Sequence, residues 1–387
     1  MTRGSDGNGT AARRRKMVFL GLSITSSWGN GHATTYRALL RALADRGHEV
    51  LFLERDLPWY ADNRDLPCPP FGRTALYQSL DELRDRFTAE VREADLVVVG
   101  SYVPDGILVG EWVLGAARGV SAFYDIDTPV TMARLARAEC DYLSPAQIAR
   151  YQLYLSFTGG PLLAQIAARY RARAPRPLYC AVDPALYFPS ESAERWDLGY
   201  LGTYSPDRQP MLERLLTEPA RRLPQARFCV AGPQYPDDEI AWPANVERTM
   251  HLSPAEHRAF YRAQRFTLNV TRADMTAAGF SPSVRLFEAA ACATPILTDP
   301  WPGLETIFTP GREILVTRTA DEVLAALRLP EAERRALGER ARARALGEHT
   351  AAHRAQALEG YLDSLSAGAR GNRSTRPERR SIWPRSS

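Results

Sequence analysis

The sequence predicts an α/β protein made of two doubly wound, Rossmann-like domains with a cleft between them. Three observations predict it. Short apolar runs alternate with amphipathic stretches along the 387 residues, the alternation recurs in the second half, and an aperiodic, proline-rich segment separates the halves. Such alternation marks parallel sheets with crossover helices. A chain of this length also exceeds what one hydrophobic core ordinarily fills.

In the first half, Met17 to Leu22 is a buried strand and Ala33 to Arg46 a helix that stops at Gly47. Val50 to Leu53 is the second strand, and Ser79-Leu-Asp-Glu82 is a capping box that opens another helix. Leu96 to Gly100, a helix near Leu108 to Arg118, and Val120 to Tyr124 complete the pattern. The second half repeats it. Its strands are Leu198 to Leu201, Arg227 to Ala231, Phe266 to Val270, Pro295 to Thr298 and Glu313 to Val316, with helices near Pro210 to Arg222, Pro254 to Gln264 and Val284 to Ala293. The seam is Ala174 to Trp196. Residues 17–180 and 181–350 are therefore assigned to the two domains, 351–366 to a C-terminal helix, and Glu331 to Leu365 to surface helices.

Composition narrows the function. Hydrophobic residues are 45% and charged residues 24% of the chain, enough apolar side chains to bury two sheets. The net charge of +4 is small, and much of the basic excess lies in Arg13 to Lys16 and in the stretch from Arg370 to Arg385. Both are poor in apolar residues, so 1–16 and 367–387 are expected to be disordered tails. Nucleic-acid binding is not expected, because no basic face with interleaved aromatics is visible. The five cysteines, Cys68, Cys140, Cys180, Cys229 and Cys292, are scattered and odd in number, which predicts reduced thiols in a cytoplasmic protein and no metal site. The apolar run after the basic N-terminus is shorter than a signal sequence needs, and no run reaches membrane-spanning length.

Three motifs carry chemistry. Strand one runs into Ser26-Ser-Trp-Gly29-Asn-Gly31-His32-Ala-Thr34, where two glycines allow a sharp turn and the following helix start offers N–H groups to negative charge. Thr34 stands where a dinucleotide fingerprint needs its third glycine, so a nicotinamide site is not expected. His32 at the cleft mouth suits a general base, or is simply a solvent-facing residue of a tight connection. The second motif, Asp125-Ile-Asp127-Thr-Pro129, follows a strand. Carboxylates at i and i+2 of an extended chain point the same way, here toward the cleft, for base catalysis or sugar binding. The competing role is a local cap on the next helix.

The third motif is the densest. Asn269-Val-Thr-Arg272 leads through Gly279 to Phe280-Ser281-Pro282-Ser283 and the helix from Val284. Ser281 is read as the N-cap and Pro282 as the first helical residue. The helix start with Ser281 and Ser283, aided by Arg285, suits a diphosphate, and Glu288 one turn on suits a ribose diol. Glu288 also has a bland role as a surface partner of Arg285. Gly202 at the end of the strand Leu198 to Leu201 permits close phosphate approach, with Arg208 as a clamp. His251-Leu252, before the capping box Ser253 to Glu256, offers backbone to a base edge.

Asn269 to Arg272, Phe280 to Cys292 and Thr294 to Glu305 resemble the CgeB-type (spore maturation protein B) group of glycosyltransferases, and Ser27 to Ala33 and Asp125 to Pro129 are similar to it too. The resemblance spans about residues 17–350. It implies a GT-B fold with the active site in the interdomain cleft, a nucleotide-sugar donor in the second domain, a small-molecule or glycan acceptor in the first, and no metal. Glu288 would hold the ribose, Arg208 the diphosphate, with Arg272 and Arg285 as supporting cations. The activity implied is hexose transfer, the nucleoside-diphosphate sugar being a substrate and no cofactor being needed. Family 4 retaining enzymes carry an acidic residue eight positions before this glutamate, where this chain has Phe280. Retention and inversion both stay open. Two rivals share the architecture. A nucleotide-sugar 2-epimerase would draw its acid and base groups from His32, Asp125 and Asp127, and a non-catalytic assembly protein would have lost the phosphate-binding features.

Overall fold

The computed structural model describes residues 13–374 apart from Asp237, with side chains as far as residue 367. Most of the two expected tails lies outside the described residues. Within them, Lys16 already opens the first strand and the last helix continues to Ser374, so order extends further at both ends than composition suggested.

The first sheet has seven parallel strands: β1 (Lys16–Gly21), β2 (Glu49–Arg55), β3 (Arg73–Tyr77), β4 (Leu96–Gly100), β5 (Val120–Asp125), β6 (Leu153–Ser156) and β7 (Pro175–Pro177), in the order β3-β2-β1-β4-β5-β6-β7. The second has six: β8 (Trp196–Leu201), β9 (Phe228–Ala231), β10 (Val246–Thr249), β11 (Gln264–Asn269), β12 (Ile296–Thr298) and β13 (Leu315–Val316), in the order β10-β9-β8-β11-β12-β13. The two orders are the same doubly wound scheme. Helices cover both faces, so central strands are apolar throughout. Val18 and Leu20 pack with Val97 and Val99 on one face, and Met17 and Phe19 with Leu96 and Val98 on the other.

Four strands have no counterpart in the sequence reading: β3, β6, β7 and β10. β7 is Pro-Arg-Pro at the sheet edge, where a strand tolerates residues lacking an N–H. The helix expected from Pro210 to Arg222 is three pieces, Gln209–Leu212, a π-turn Glu213–Thr217 and Glu218–Arg222. Pro219 removes a donor from that ladder.

The two final helices do different jobs. Glu331–Glu348 packs on the helix Val284–Ala291 of the second domain. Ala351–Ser374 crosses back and packs on His32–Asp45, placing Ala355, Leu358 and Leu362 in the core of the first domain. His48 Nδ1 accepts the Arg15 N–H, so its Nε2 donates to Glu359 Oε1 at 2.7 Å. This helix is not the surface element the sequence suggested, because one of its stripes is buried. Among the described residues no helix is long and apolar enough to cross a membrane.

Strand order places the site. β1 and β4 in one sheet, and β8 and β11 in the other, are the neighbours at which the winding reverses, and ligands of such sheets sit beyond the carboxyl ends of those strands. The two crevices face each other.

Candidate functional site

A cleft of about 330 Å³ lies where the crevices meet. His32 and Asp127 line it from the first domain. Gly202, Arg208, Arg272, Ser281, Ser283, Arg285 and Glu288 line it from the second. Of the residues expected to act on donor or acceptor, Asp125 alone does not line it.

On the first-domain side the turn after β1 is built around Glu54, at the end of β2 and fully buried. Its carboxylate accepts from the hydroxyls of Ser23 (2.8 Å) and Thr25 (2.6 Å) and from the amides of Ile24 (2.7 Å) and Thr25 (3.1 Å). Asp65 takes the Ser27 amide at 2.8 Å, and Asn30 takes those of His32 and Ala33. Two of the amides expected to await an anion at the helix start, those of His32 and Ala33, are therefore engaged within the protein. What the turn presents is His32, half-buried, its ring stacked near Tyr102 with centroids 5.9 Å apart. Among the described residues the imidazole has no hydrogen-bond partner. Burial holds its pKa below the ordinary histidine value, with Asp127 pulling it up and Arg272 pushing it down. At neutral pH the ring is uncharged and able to accept a proton.

The paired carboxylates divide. Asp127 faces the cleft and accepts from the Tyr102 hydroxyl at 2.8 Å. Asp125 is fully buried, accepting from the Tyr154 hydroxyl (2.6 Å), the Thr131 hydroxyl (2.7 Å) and the Asp127 amide (3.2 Å). Burial drives its carboxyl up to about 7 against the pull of those hydrogen bonds. The expectation that both point into the cleft fails because the strand ends at Asp125. Asp127 has φ −147° and ψ 45°, outside the extended region, as the residue before the helix Thr128–Ala136. The i, i+2 rule holds only while the chain stays extended.

On the second-domain side the close approach is made by two glycines. Gly232 has φ +146°, and a Cβ there would lie 2.0 Å from the Gly202 carbonyl oxygen. Arg285, 7% exposed, donates from Nε to the Leu201 carbonyl and from Nη1 to Asn269 Oδ1 at 2.7 Å, with its guanidinium over the Tyr200 ring. It has no carboxylate partner among the described residues, so it does not pair with Glu288. Arg208 donates to the Thr203 carbonyl, and its buried Nε has no acceptor. Arg272 Nε is likewise buried without an acceptor.

The helix Val284–Ala291 starts two residues later than the capping by Ser281 implied. Ser283 is its N-cap, accepting from the Arg285 amide at 3.4 Å. Ser281 is 2% exposed, and its hydroxyl is bonded to Thr158 of the first domain and to the Gly279 carbonyl. It ties the domains together at the cleft floor. Phe280, with φ +49°, does not line the cleft. Its ring lies against Gly160 and Gly303, and its carbonyl accepts the Gly159 amide at 3.0 Å. Glu288 is 2% exposed and lines the cleft. Its Oε2 accepts from the Tyr261 hydroxyl at 3.0 Å and lies 3.6 Å from His257 Nδ1, and the Tyr187 hydroxyl also bonds to the carboxylate.

Sequence reasoning missed Glu54, Tyr102 and Asp299. Asp299 takes the amide and hydroxyl of Thr271, and burial drives its carboxyl up to about 6. The signal for Glu54 was a carboxylate closing an otherwise apolar strand, a placement that needs a reason.

Residues 208–360 match the model of a family described as glycosyl transferase-like. No curated protein matches the sequence. Among solved structures, sucrose-phosphate synthase from Thermosynechococcus elongatus is similar with TM-score 0.67 and 16% identity, over 92% of this chain and 100% of that one. HepE from Anabaena, in complex with UDP and glucose, is similar with TM-score 0.68 and 15% identity, over 91% and 100%. A trehalose-6-phosphate protein from E. coli bound with UDP-2-fluoro glucose gives TM-score 0.60 and 11% identity, over 90% and 98%. Two facing doubly wound sheets, a shared cleft and these likenesses together give the chain the GT-B fold.

Proposed function

We propose that the protein is a glycosyltransferase that moves a hexose-type sugar from a nucleoside-diphosphate donor to a hydroxyl acceptor, without a metal ion. One observation carries this reading: three guanidinium groups, those of Arg208, Arg272 and Arg285, meet beside a helix N-terminus in the cleft, and two of them hold buried N–H donors with no acceptor. Buried unmade donors of positive charge call for an anion with several oxygens. The match of residues 208–360 to a glycosyl transferase-like family supports it, as does the resemblance of residues 269–305 to the spore maturation protein B group.

In this reading the diphosphate lies against Arg208, Arg285 and the amides at Ser283, and the cleft-lining carboxylate of Glu288 accepts from a ribose hydroxyl. The sugar points across the cleft to Asp127 and His32. The acceptor oxygen attacks the anomeric carbon, the bond from that carbon to the phosphate oxygen breaks, and the diphosphate leaves with the electron pair. His32 takes the acceptor proton, and Asp127 offsets the imidazolium charge. Asp125 has no contact with the reacting groups and serves to hold β5 to β6.

The test is a thermal-shift panel of UDP, GDP, dTDP and ADP, followed by transfer assays with the sugar of the stabilising nucleotide, run with and without a chelator. Stabilisation by one nucleotide and chelator-resistant release of that nucleoside diphosphate are expected. Indifference to all four would refute the donor site and favour a non-catalytic assembly role.

A further inference from the structure

Arg272 is shared between the domains. It follows β11 and precedes the helix Ala273–Ala278. Its Nη1 lies 3.7 Å from Asp127 Oδ2 in the first domain, and its Nε lies 3.7 Å from Asp207 Oδ2 in the second. Both separations exceed hydrogen-bond length. The guanidinium is therefore held between two carboxylates by charge, with its Nε–H buried and unmade. Asp207 is further committed, because its Oδ2 accepts the Ala273 amide at 2.9 Å.

We propose that Arg272 is a positioning residue that couples the two halves of the site: in the empty cleft it cancels the charge of Asp127, and a diphosphate beside Arg208 takes its N–H groups and ends that cancellation. The proposal rests on the donor placement above and deepens it. A diphosphate oxygen can supply the short, charge-assisted hydrogen bonds that neither carboxylate makes.

The charges around the pair fix the sign. Asp127 is faced by the Tyr102 hydroxyl, by His32 on the helix His32–Asp45, by Arg272, and by Asp125 behind it. His32 is faced by Tyr102, Asp127 and Arg272. With Arg272 close, its positive charge opposes an imidazolium at His32 and neutralises the carboxylate that would support one. With Arg272 turned to phosphate, Asp127 acts on His32 unopposed and the imidazole binds a proton more readily. The acceptor base is thus switched on by the donor, which makes donor-first addition the productive order.

The experiment is a pH titration of the histidine ring resonances of the full chain labelled with 15N-histidine, the His32 signal being the one lost in H32Q. UDP-glucose is added, with ADP-glucose, GDP-mannose and dTDP-glucose in parallel. In the wild type, the nucleotide sugar that binds should raise the His32 midpoint. R272Q without ligand should already show a raised midpoint and respond less to ligand, whereas R272K, which keeps the charge, should match the ligand-free wild type. Circular dichroism verifies that each variant is folded, and if R272Q is not, R272M replaces it. Binding with an equal midpoint shift in wild type and R272Q overturns the coupling and leaves the donor site standing. No binding by any of the four overturns the donor site and the coupling with it.

Discussion

The turns after β1 and after β8 occupy equivalent places in their sheets, yet they are braced by opposite charges. The first is gathered around the carboxylate of Glu54, which takes two backbone N–H groups and two hydroxyls. The second is gathered around the guanidinium of Arg285, which takes a backbone carbonyl and an amide oxygen. A carboxylate brace uses up donors and leaves negative charge behind it. A guanidinium brace uses up acceptors and leaves positive charge. On the proposed reading, two copies of one topology thereby become a proton-accepting half and an anion-accepting half, and the sheet order alone would not tell which is which.

The largest expected effect breaks the anion-accepting half. Arg208→Ala should lower transfer by on the order of 10²–10³-fold, the usual cost of losing one donor to a leaving group or oxyanion, while the melting temperature barely moves. Steady-state assay beside calorimetry verifies this, and unchanged turnover would sink the diphosphate assignment. Next, Glu54→Ala should cost about 3 kcal/mol of folding stability by leaving buried donors unmade, seen as a lower urea midpoint. Nucleotide affinity of the folded fraction should stay the same. Arg285→Met should instead weaken nucleotide affinity, so equal effects of the two changes on binding would dissolve the contrast.

A third test uses pH. Asp125 titrates near 7 in the folded protein, against about 4 for an unfolded aspartate. Its raised pKa gives stability that is full below about pH 4 and is lost as pH rises through 7. Asp125→Asn removes that loss, so the variant should be more stable than the wild type at pH 8, and the gap should close toward pH 4. Denaturant midpoints at both pH values decide it. The smallest effect falls to Glu288→Gln, which should weaken binding of the nucleoside diphosphate by about tenfold, or 1.4 kcal/mol, and leave inorganic pyrophosphate affinity unchanged. Parallel loss of both ligands would remove Glu288 from the ribose.

Much of this was legible in the sequence. Long apolar runs such as Leu96 to Gly100 and the helix from Val284 announce themselves, because burial on all sides needs uninterrupted apolar chain. Arg-Thr-Ala-Leu-Tyr at β3 and Val-Glu-Arg-Thr at β10 do not, since edge strands keep polar side chains in water. In the cleft, His32, Asp127, Arg208, Arg272, Ser283, Arg285 and Glu288 were visible because charge and glycine at strand ends stand out. Asp125 was misplaced and Ser281 was given the wrong partner. Both turn on one residue's dihedral or one cross-domain contact, and no local pattern encodes either. Glu54 stood out only as a carboxylate after an apolar run, and its role was hidden for the same reason: its partners lie some thirty residues earlier in the chain.

The helix Ala351–Ser374 sets an order of events. Leu358 and Leu362 complete a core whose strands are made some 200 residues or more earlier in the chain, so during synthesis the leading domain waits, with an uncovered apolar groove, until residue 362 has left the ribosome. A message cut short before codon 351 would yield a product able to form both sheets and yet prone to clump.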